Sequence, residues 1–275
     1  MRNVGKPGLG GRRKWRAADH RHERGPRRAG LQLLAGRHDQ LPGRPRGAQQ
    51  AMAAYPDLAL SARANRAFLA RTVRWLAGQG IRQFLDIGTG IPVKSNTHEV
   101  AQAIAPDSRV VYADHDPIVL AHARSLLTGS PAGATDYLDA DLRQPGQILT
   151  AAARTLDLSQ PVAIVLMAVL QFILEEEHPG DIVAEFLDAV PSGSYLVVSH
   201  PASDTDPAAM REMAQRLNRL MVQRVALRSR AEVTRFFDGQ SLIEPGVVRI
   251  PEWRPEAPAD RGIPSTMWGG VGRKP

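Results

Sequence analysis

Short apolar runs and longer segments with helical spacing alternate along most of this chain. The apolar runs lie at 83–87, 109–113, 134–138, 161–167 and 194–199. Between them, apolar residues recur every three or four positions, which predicts helices. The predicted helices cover 48–55, 57–76, 98–105, 116–127, 144–156, 181–189, 206–225 and 230–237, and final short strands are predicted at 242–244, 247–250 and 266–270. Because strands alternate with helices, we predict an α/β fold with a largely parallel central sheet.

The run from Val162 to Met167 is apolar throughout. A strand with one face in solvent alternates apolar and polar residues, whereas a continuous apolar run is typical of a strand covered on both faces. We therefore expect helices on both faces of the sheet. Ligands of such sheets bind beyond the carboxyl ends of the strands.

A glycine turn follows the first predicted strand, in the order Asp86-Ile87-Gly88-Thr89-Gly90. Glycine can adopt a positive φ and allows close approach of the backbone to a ligand. The N-terminus of the next helix offers backbone N–H groups that have no partner within the helix. Strand, glycine turn and helix together predict a nucleotide-binding unit.

Acidic residues stand where the next two strands should end. Asp114 ends the second strand, and Asp141 closes the acidic stretch 136–141 after the third. A carboxylate at the end of the second strand can accept hydrogen bonds from ribose hydroxyls. Dinucleotide folds usually have a third glycine where this chain has Val93, which disfavours a nicotinamide cofactor.

The order of one acid, two glycines and two further acids resembles the class I S-adenosylmethionine (SAM) methyltransferases. In more detail, FLDIGTGIP at 84–92, the segment 96–101 and VVYADHDPIVLAHARSLL at 110–127 resemble the actinobacterial S-adenosyl methyltransferase family, formerly a domain of unknown function. The resemblance runs from about Met52 to the end of the chain. It implies a Rossmann-like class I methyltransferase fold and SAM as the cofactor, and it leaves the methyl acceptor open.

The resemblance also implies which residues bind the cofactor. The first acid and the glycine turn would hold the methionine end, the second acid the ribose and the third the adenine. The implied cofactor-binding residues are Asp86, Gly88, Thr89, Gly90, Asp114, His115, Asp141 and Leu142. His115, between two acids, is equally interpretable as a solvent-exposed charge partner. Asn65 and Arg66 lie mid-helix near the methionine end, although a solvated helix face is the favoured interpretation.

Methyl transfer requires orientation and a desolvated cleft more than a dedicated nucleophile or metal. A general base would help an oxygen or nitrogen acceptor, and His98 and His200 are the tentative candidates. His98 opens the helix after the glycine turn, and His200 ends the fifth strand and is expected to point toward the cleft mouth. The alternatives are a histidine bonded locally at the helix start and an ordinary turn residue.

We expect a small-molecule acceptor and no membrane partner, and the sequence disfavours, without excluding, a nucleic-acid-binding module that uses the basic N-terminal arm. Methyltransferases that act on amino groups of DNA carry an Asn/Asp-Pro-Pro-aromatic motif after the fourth strand, whereas this chain has the apolar stretch 167–170. Relatives often have histidine where Gln171 stands here. This departure keeps open the alternative of a non-catalytic SAM- or S-adenosylhomocysteine-binding protein, such as a sensor. The sequence does not indicate an oligomeric state.

Composition excludes several classes of protein. The chain has no cysteine, which rules out disulfides and cysteine-ligated metal. The histidines and acids around 175–178 do not have the spacing of metal ligands, so no metal site is predicted. No apolar run approaches the roughly 20 residues of a membrane span, and no secretory signal is recognisable. The predicted location is the cytoplasm.

Positive charge is concentrated in the first 47 residues, which contain 13 Lys and Arg against 3 Asp and Glu. The net charge of +7 thus combines +10 in this leader with −3 in the remainder. We interpret 1–47 as a disordered leader and 48–275 as the methyltransferase domain. A further hypothesis is that the leader is an out-of-frame reading of its gene. Family relatives carry the segment Val-Tyr-Asn-Tyr-Leu-Leu. Codons for this segment, when they are read in a displaced frame, give the Gly-Leu-Gln-Leu-Leu-Ala found at 30–35.

Overall fold

The computed structural model describes residues 56–90, 95–117, 119, 130–220 and 223–275. Within these ranges the chain forms one eight-stranded sheet with helices packed against it. The strands are β1 (Gln83–Ile87), β2 (Arg109–Asp114), β3 (Ala134–Asp139), β4 (Ala163–Met167), β5 (Tyr195–Pro201), β6 (Ser241–Leu242), β7 (Val248–Arg249) and β8 (Met267–Arg273). The helices are α1 (Pro56–Gly78), α2 (Thr97–Ile104), α3 (Pro145–Ala152), α4 (Pro179–Asp188), α5 (Pro207–Leu220) and α6 (Arg230–Arg235).

The strand order is β3-β2-β1-β4-β5-β8-β6, with β7 paired to β8 outside this path. Strands β1 to β5 are parallel, whereas β8 runs antiparallel to β5, β6 and β7. The order reverses direction at β1, whose neighbours are β2 and β4. Because a reversal leaves a crevice at the carboxyl ends of the strands, this topology places a ligand site above β1 and β4.

Two apolar cores cover the two faces of the sheet. On one face, α1 and α2 cover the sheet, and Phe68, Val73 and Leu76 of α1 pack against Phe84 and Val165. On the other face, α3, α4 and α6 pack against the alternate strand residues. Successive side chains of a strand point to opposite faces, so the apolar run of β4 contributes Ile164 and Leu166 to this second core.

The predicted fold class, with a largely parallel sheet and helices on both faces, is confirmed. The predicted first strand and the observed β1 coincide, and the bounds of the other four main strands differ by two residues or fewer. The predicted fifth-strand bounds are extended by the pairing of β5 with β8, which reaches Pro201. The predicted helices at 48–55 and 116–127 and the leader 1–47 lie wholly or largely outside the described residues. None of the described helices is long and apolar enough to cross a membrane.

Candidate functional site

The glycine turn that follows β1 has the backbone conformation that requires glycine. Gly88 has φ 75° and Gly90 has φ 63°, which other residues adopt only at a cost. A Cβ atom added to Gly88 would lie 2.3 Å from Cγ2 of Val169. Gly88 is therefore held against the segment after β4, and its missing side chain allows the contact. We call residues 88–90 the glycine loop.

Asp86 lies just before this loop and is almost completely buried, with 5% of its surface exposed. Thr97 at the start of α2 donates a hydrogen bond from Oγ1 to Asp86 Oδ2 at 2.6 Å. Burial raises the pKa of Asp86 to about 6, although the bond from Thr97 and the positive charge of Arg66 on α1 act in the opposite direction. The fold thus holds a carboxylate that a nearby cation would stabilise.

Asp114 connects the glycine loop to the turn after β2. Its side chain is 1% exposed, Gly90 N–H donates to Oδ2 at 3.0 Å, and Asp116 N–H donates to Oδ1 at 3.0 Å. Each carboxylate oxygen can accept a second hydrogen bond. The predicted residue is therefore buried beside the loop and positioned by two backbone groups.

Two stacked tyrosines stand beside the loop. The rings of Tyr112 and Tyr137 are stacked with centroids 6.1 Å apart, and Tyr137 Oη lies 3.1 Å from Thr89 Oγ1. Burial raises the pKa of both phenols, which keeps both neutral. A small hollow lined by both rings also includes Arg66, Asp86, Thr89, Gly90 and Asn96.

The other predicted cofactor residues lie at the ends of β2 and β3. Asp141 is half-buried, and its Oδ1 accepts a hydrogen bond from the backbone N–H of Arg143 at 3.0 Å. Leu142 is 1% exposed and packs in the second core, so only its backbone can face a ligand. His115 is half-buried and its Nδ1 is buried, so it is less exposed than the charge-partner interpretation expected, and its role stays a prediction.

A larger cleft opens from the same loop toward α1, α5 and β8. It shares Arg66, Asp86 and Thr89 with the hollow. Most of its lining is apolar. Its other described residues are Ser61, Ala62, Asn65, Leu69, Gly88, Met167, Ala168, Gln171, Phe172, Pro201, Met210, Met213, Leu217, Val225, Thr266 and Met267. Among the described residues of the lining, the ionisable ones are Arg66 and Asp86.

The structure places Asn65 and Arg66 in this cleft, so the favoured interpretation of a solvated helix face is wrong. Both side chains are half-buried, and burial lowers the pKa of Arg66 while the negative charge of Asp86 opposes that shift. Sequence reasoning did not select Met210 and Met213. Their spacing on an amphipathic helix is a signal, but helical spacing alone does not distinguish a cleft wall from a core contact.

His98 is buried behind Tyr112 and is 1% exposed. Its backbone N–H donates to Tyr112 Oη at 2.8 Å, and its Nδ1 lies 2.8 Å from the same oxygen. The phenol accepts the first hydrogen bond and can donate its proton in the second. In this arrangement Tyr112 lies between His98 and the hollow. This agrees with the alternative considered from the sequence, a histidine bonded locally at the helix start.

The expectation that His200 points toward the cleft mouth is wrong. His200 is fully buried on the opposite face of β5, where it stacks on Phe236. Arg228 Nη1 donates to His200 Nε2 at 2.8 Å, so the ring proton is on Nδ1, which donates to the carbonyl oxygen of Pro201 at 2.9 Å. Burial and then the charge of Arg228 lower the pKa of His200 to about 3. The physical reason is the two-residue period of the strand, which directs Ser199 and Pro201, but not His200, to the cleft side.

Comparisons with known proteins agree with this geometry. A family model described as S-adenosyl methyltransferase matches residues 7–275. A DUF574 family protein from Streptomyces avermitilis is 40% identical with a TM-score of 0.84, over 90% of this chain and 97% of that one. A candidate methyltransferase from Thermobifida fusca is 38% identical with a TM-score of 0.81, over 90% and 95% of the two chains. No curated protein matches the sequence.

More distant structures share the fold alone. Magnesium protoporphyrin IX methyltransferase from Synechocystis, solved with bound S-adenosylhomocysteine, is 14% identical with a TM-score of 0.54, over 90% of this chain and 93% of that one. The fold and the site thus define a class I methyltransferase. The chain belongs to the S-adenosyl methyltransferase family, and it is a SAM-dependent methyltransferase with SAM as its cofactor. The resemblance identified from the sequence is confirmed, and the family match begins closer to the N-terminus than the expected Met52.

Proposed function

We propose that this enzyme transfers the methyl group of SAM to a small molecule bound in the larger cleft, which we call the acceptor cleft. The observation that carries the proposal is the position of the cleft. It begins at Gly88 and Thr89 of the glycine loop and extends between Leu69 of α1 and Met213 of α5. An apolar cleft with a few convergent polar groups is the usual form of a small-molecule site.

The described residues fit the cofactor. Asp86, with its pKa raised by burial, would pair with the ammonium group of the methionine end beside Gly88, Thr89 and Gly90. We assign the ribose to Asp114 and His115, and the adenine to Asp141 and the backbone of Leu142. These assignments are supported by the positions of Asp86 and Asp114 at the carboxyl ends of β1 and β2 and of Asp141 just beyond β3.

When bound, SAM supplies a methyl group activated by its sulfonium. The residues of the chain would orient the acceptor and exclude water, and such positioning can supply several kcal/mol of the barrier reduction. With His200 on the opposite face and His98 behind Tyr112, we assign neither as a general base. His98 would instead orient the Tyr112 hydroxyl in the wall of the hollow.

The apolar lining also favours a small molecule over an extruded nucleic-acid base. A flipped base is usually held by hydrogen bonds to its polar edge, and the described lining beyond Asp86 and Arg66 offers uncharged and mostly apolar side chains. The absence of a nucleic-acid partner and the cytoplasmic location stay predictions.

The experiment is methyl transfer with labelled SAM. The full chain is incubated with tritium-methyl SAM and a Streptomyces cell extract, which is then separated into small-molecule, protein and nucleic-acid fractions. We expect label in the small-molecule fraction, dependent on the enzyme. Enzyme-dependent label confined to protein or nucleic acid would contradict the proposal. Titration with S-adenosylhomocysteine, with NADH as the control, tests cofactor binding separately.

A further inference from the structure

The wall of the acceptor cleft contains a buried side-chain amide whose oxygen accepts no hydrogen bond from the described residues. Gln171 is 1% exposed and lines the cleft. Its Nε2 donates to the carbonyl oxygen of Ala168 at 2.7 Å, which fixes the orientation of the amide. Its Oε1 is buried and has no hydrogen-bond partner among the described residues. An unsatisfied buried acceptor is costly, and proteins usually provide such groups with a partner.

A second amide is oriented through the same backbone position. Ala168 N–H donates to Ser199 Oγ at 3.0 Å, and Ser199 Oγ donates to Asn65 Oδ1 at 2.6 Å. Because Oδ1 is used in this way, Asn65 contributes the N–H donors of Nδ2 to the cleft that it lines. Gln171 therefore offers an acceptor and Asn65 offers N–H donors, and both side chains line the same cleft.

Ala168 itself is held in an unusual conformation. Its φ is 48°, in the left-handed region that is unfavourable for a residue other than glycine. Backbone strain of this kind is concentrated at functional sites. The next residue, Val169, is the one that contacts Gly88, so the amide pair lies beside the glycine loop.

The remaining lining defines the body of the ligand. Four of the seven methionines of the chain, Met167, Met210, Met213 and Met267, line the cleft. Methionine side chains are flexible and polarisable and adapt to varied apolar shapes. Arg66 and Asp86, the ionisable residues of the described lining, have opposite charges. An apolar lining in which the two ionisable residues have opposite charges disfavours an anionic or a cationic acceptor.

We propose that the acceptor is an uncharged, mainly apolar molecule with a hydroxyl group, and that Gln171 Oε1 and Asn65 Nδ2 position this group beside the glycine loop. The hydroxyl can donate to Gln171 and accept from Asn65 while it keeps a second lone pair for the incoming methyl group. The hydroxyl oxygen forms a bond to the methyl carbon, the sulfur–carbon bond breaks with its electron pair left on sulfur, and the hydroxyl proton passes to solvent. Neither amide accepts that proton, so both are positioning residues. This inference rests on the proposed function.

The test uses calorimetric titration of the full chain saturated with S-adenosylhomocysteine. The probes are 2-naphthol, its methyl ether 2-methoxynaphthalene and the anion naphthalene-2-sulfonate. We expect 2-naphthol to bind about tenfold more tightly than the ether, the amount expected for one hydrogen bond to a buried acceptor. We expect the sulfonate to bind more weakly than either.

Gln171→Met keeps the length of the side chain and removes the acceptor. We expect the preference for 2-naphthol over the ether to fall to within about twofold, with S-adenosylhomocysteine affinity unchanged. Gln223→Met is the matched control and should retain the preference, because Gln223 also donates from Nε2 to a backbone carbonyl, that of Phe172, but is not among the described lining residues. The comparison of probes in the wild-type chain is informative even if a variant does not fold.

Three outcomes overturn the inference while leaving the proposed function intact: equal binding of 2-naphthol and its ether, no binding of either, or a preference that survives Gln171→Met. Tight binding of the sulfonate contradicts the uncharged acceptor. Failure to bind S-adenosylhomocysteine would remove the proposed function and the inference together, and it is measured first.

Discussion

The two halves of the site are built in different ways. The cofactor half depends on residues close together in sequence, since Asp86 and Gly88 lie two residues apart and Asp114 follows on the neighbouring strand. The acceptor half combines side chains from α1, the turn after β4, β5, α5 and β8. The proposed cofactor half is polar and contains buried carboxylates, whereas the proposed acceptor half is mainly apolar and contains the uncharged amides of Asn65 and Gln171.

This difference shows which half of the site is constrained by the chemistry of its ligand and which half can vary in sequence. A cofactor with an ammonium group, a ribose and an adenine requires hydrogen-bond and charge partners of a fixed chemical type. An apolar cleft can change with substitutions on any of its five contributing elements. The predictions below test whether the halves are energetically separate, from the largest expected effect to the smallest.

Gly88→Ala should have the largest effect, on stability and on the cofactor half together. The new Cβ would meet Val169 at 2.3 Å in a backbone with φ 75°. Strain and overpacking should lower the free energy of unfolding by roughly 2–5 kcal/mol, as measured by chemical denaturation. Gly78→Ala is the control, because no atom lies within 4 Å of its added Cβ. A Gly88→Ala chain with wild-type stability would contradict this account of the loop.

Asp114→Asn should weaken binding of S-adenosylhomocysteine by roughly ten- to a hundredfold, because it loses charged hydrogen bonds to the ribose. Asp139→Asn is a matched control, since Asp139 is exposed at the end of β3. The affinity is measured by calorimetry. Unchanged affinity in Asp114→Asn would remove Asp114 from the cofactor half.

His200 should make the fold sensitive to acid. Its pKa in the folded chain is about 3, below the ordinary 6.5, so the unfolded chain binds a proton that the folded chain does not. The contribution of His200 to stability is therefore complete above pH 6.5 and is lost as the pH falls toward 3. Between pH 8 and 5 the loss should be about 2 kcal/mol.

Chemical denaturation of the wild-type chain and His200→Gln across this range isolates the effect, because other groups cancel in the difference. One such group is Asp86, whose raised pKa acts in the opposite direction. Its protonated form is favoured in the folded chain, so its contribution to stability falls as the pH rises from about 4 through 6. Parallel pH profiles for the two chains would mean that His200 is protonated in the folded state.

Asp86 should give the smallest of these effects, a pH dependence of cofactor affinity. If the ionised carboxylate pairs with the cofactor's ammonium, its pKa of about 6 predicts roughly tenfold tighter binding of S-adenosylhomocysteine at pH 7 than at pH 5. Asp86→Asn should bind weakly and without this dependence. Equal pH dependence in both chains would exclude Asp86 as the titrating partner.

The fold was largely predictable from sequence because its signals are local. The same signals selected the proposed cofactor residues: Asp86 and Asp114 lie at the carboxyl ends of β1 and β2, and the glycine loop follows β1. The amide pair could not be predicted, because it depends on contacts between Asn65 and Ser199, which lie 134 positions apart. His200 was predicted to face the wrong side because the predicted strand ended at residue 199, whereas β5 continues to Pro201 and its two-residue period directs His200 away from the cleft.

The most direct test of the central claim, that an apolar acceptor binds in the methionine-lined cleft while the cofactor is in place, is a methyl NMR titration of the full chain carrying [13C-methyl]methionine. Signals of Met167, Met210, Met213 and Met267 are assigned by single Met→Leu substitutions. After saturation with S-adenosylhomocysteine, addition of 2-naphthol should shift these four signals without releasing the cofactor. Saturable binding of 2-naphthol that leaves all four unshifted, or that displaces S-adenosylhomocysteine, would contradict the claim.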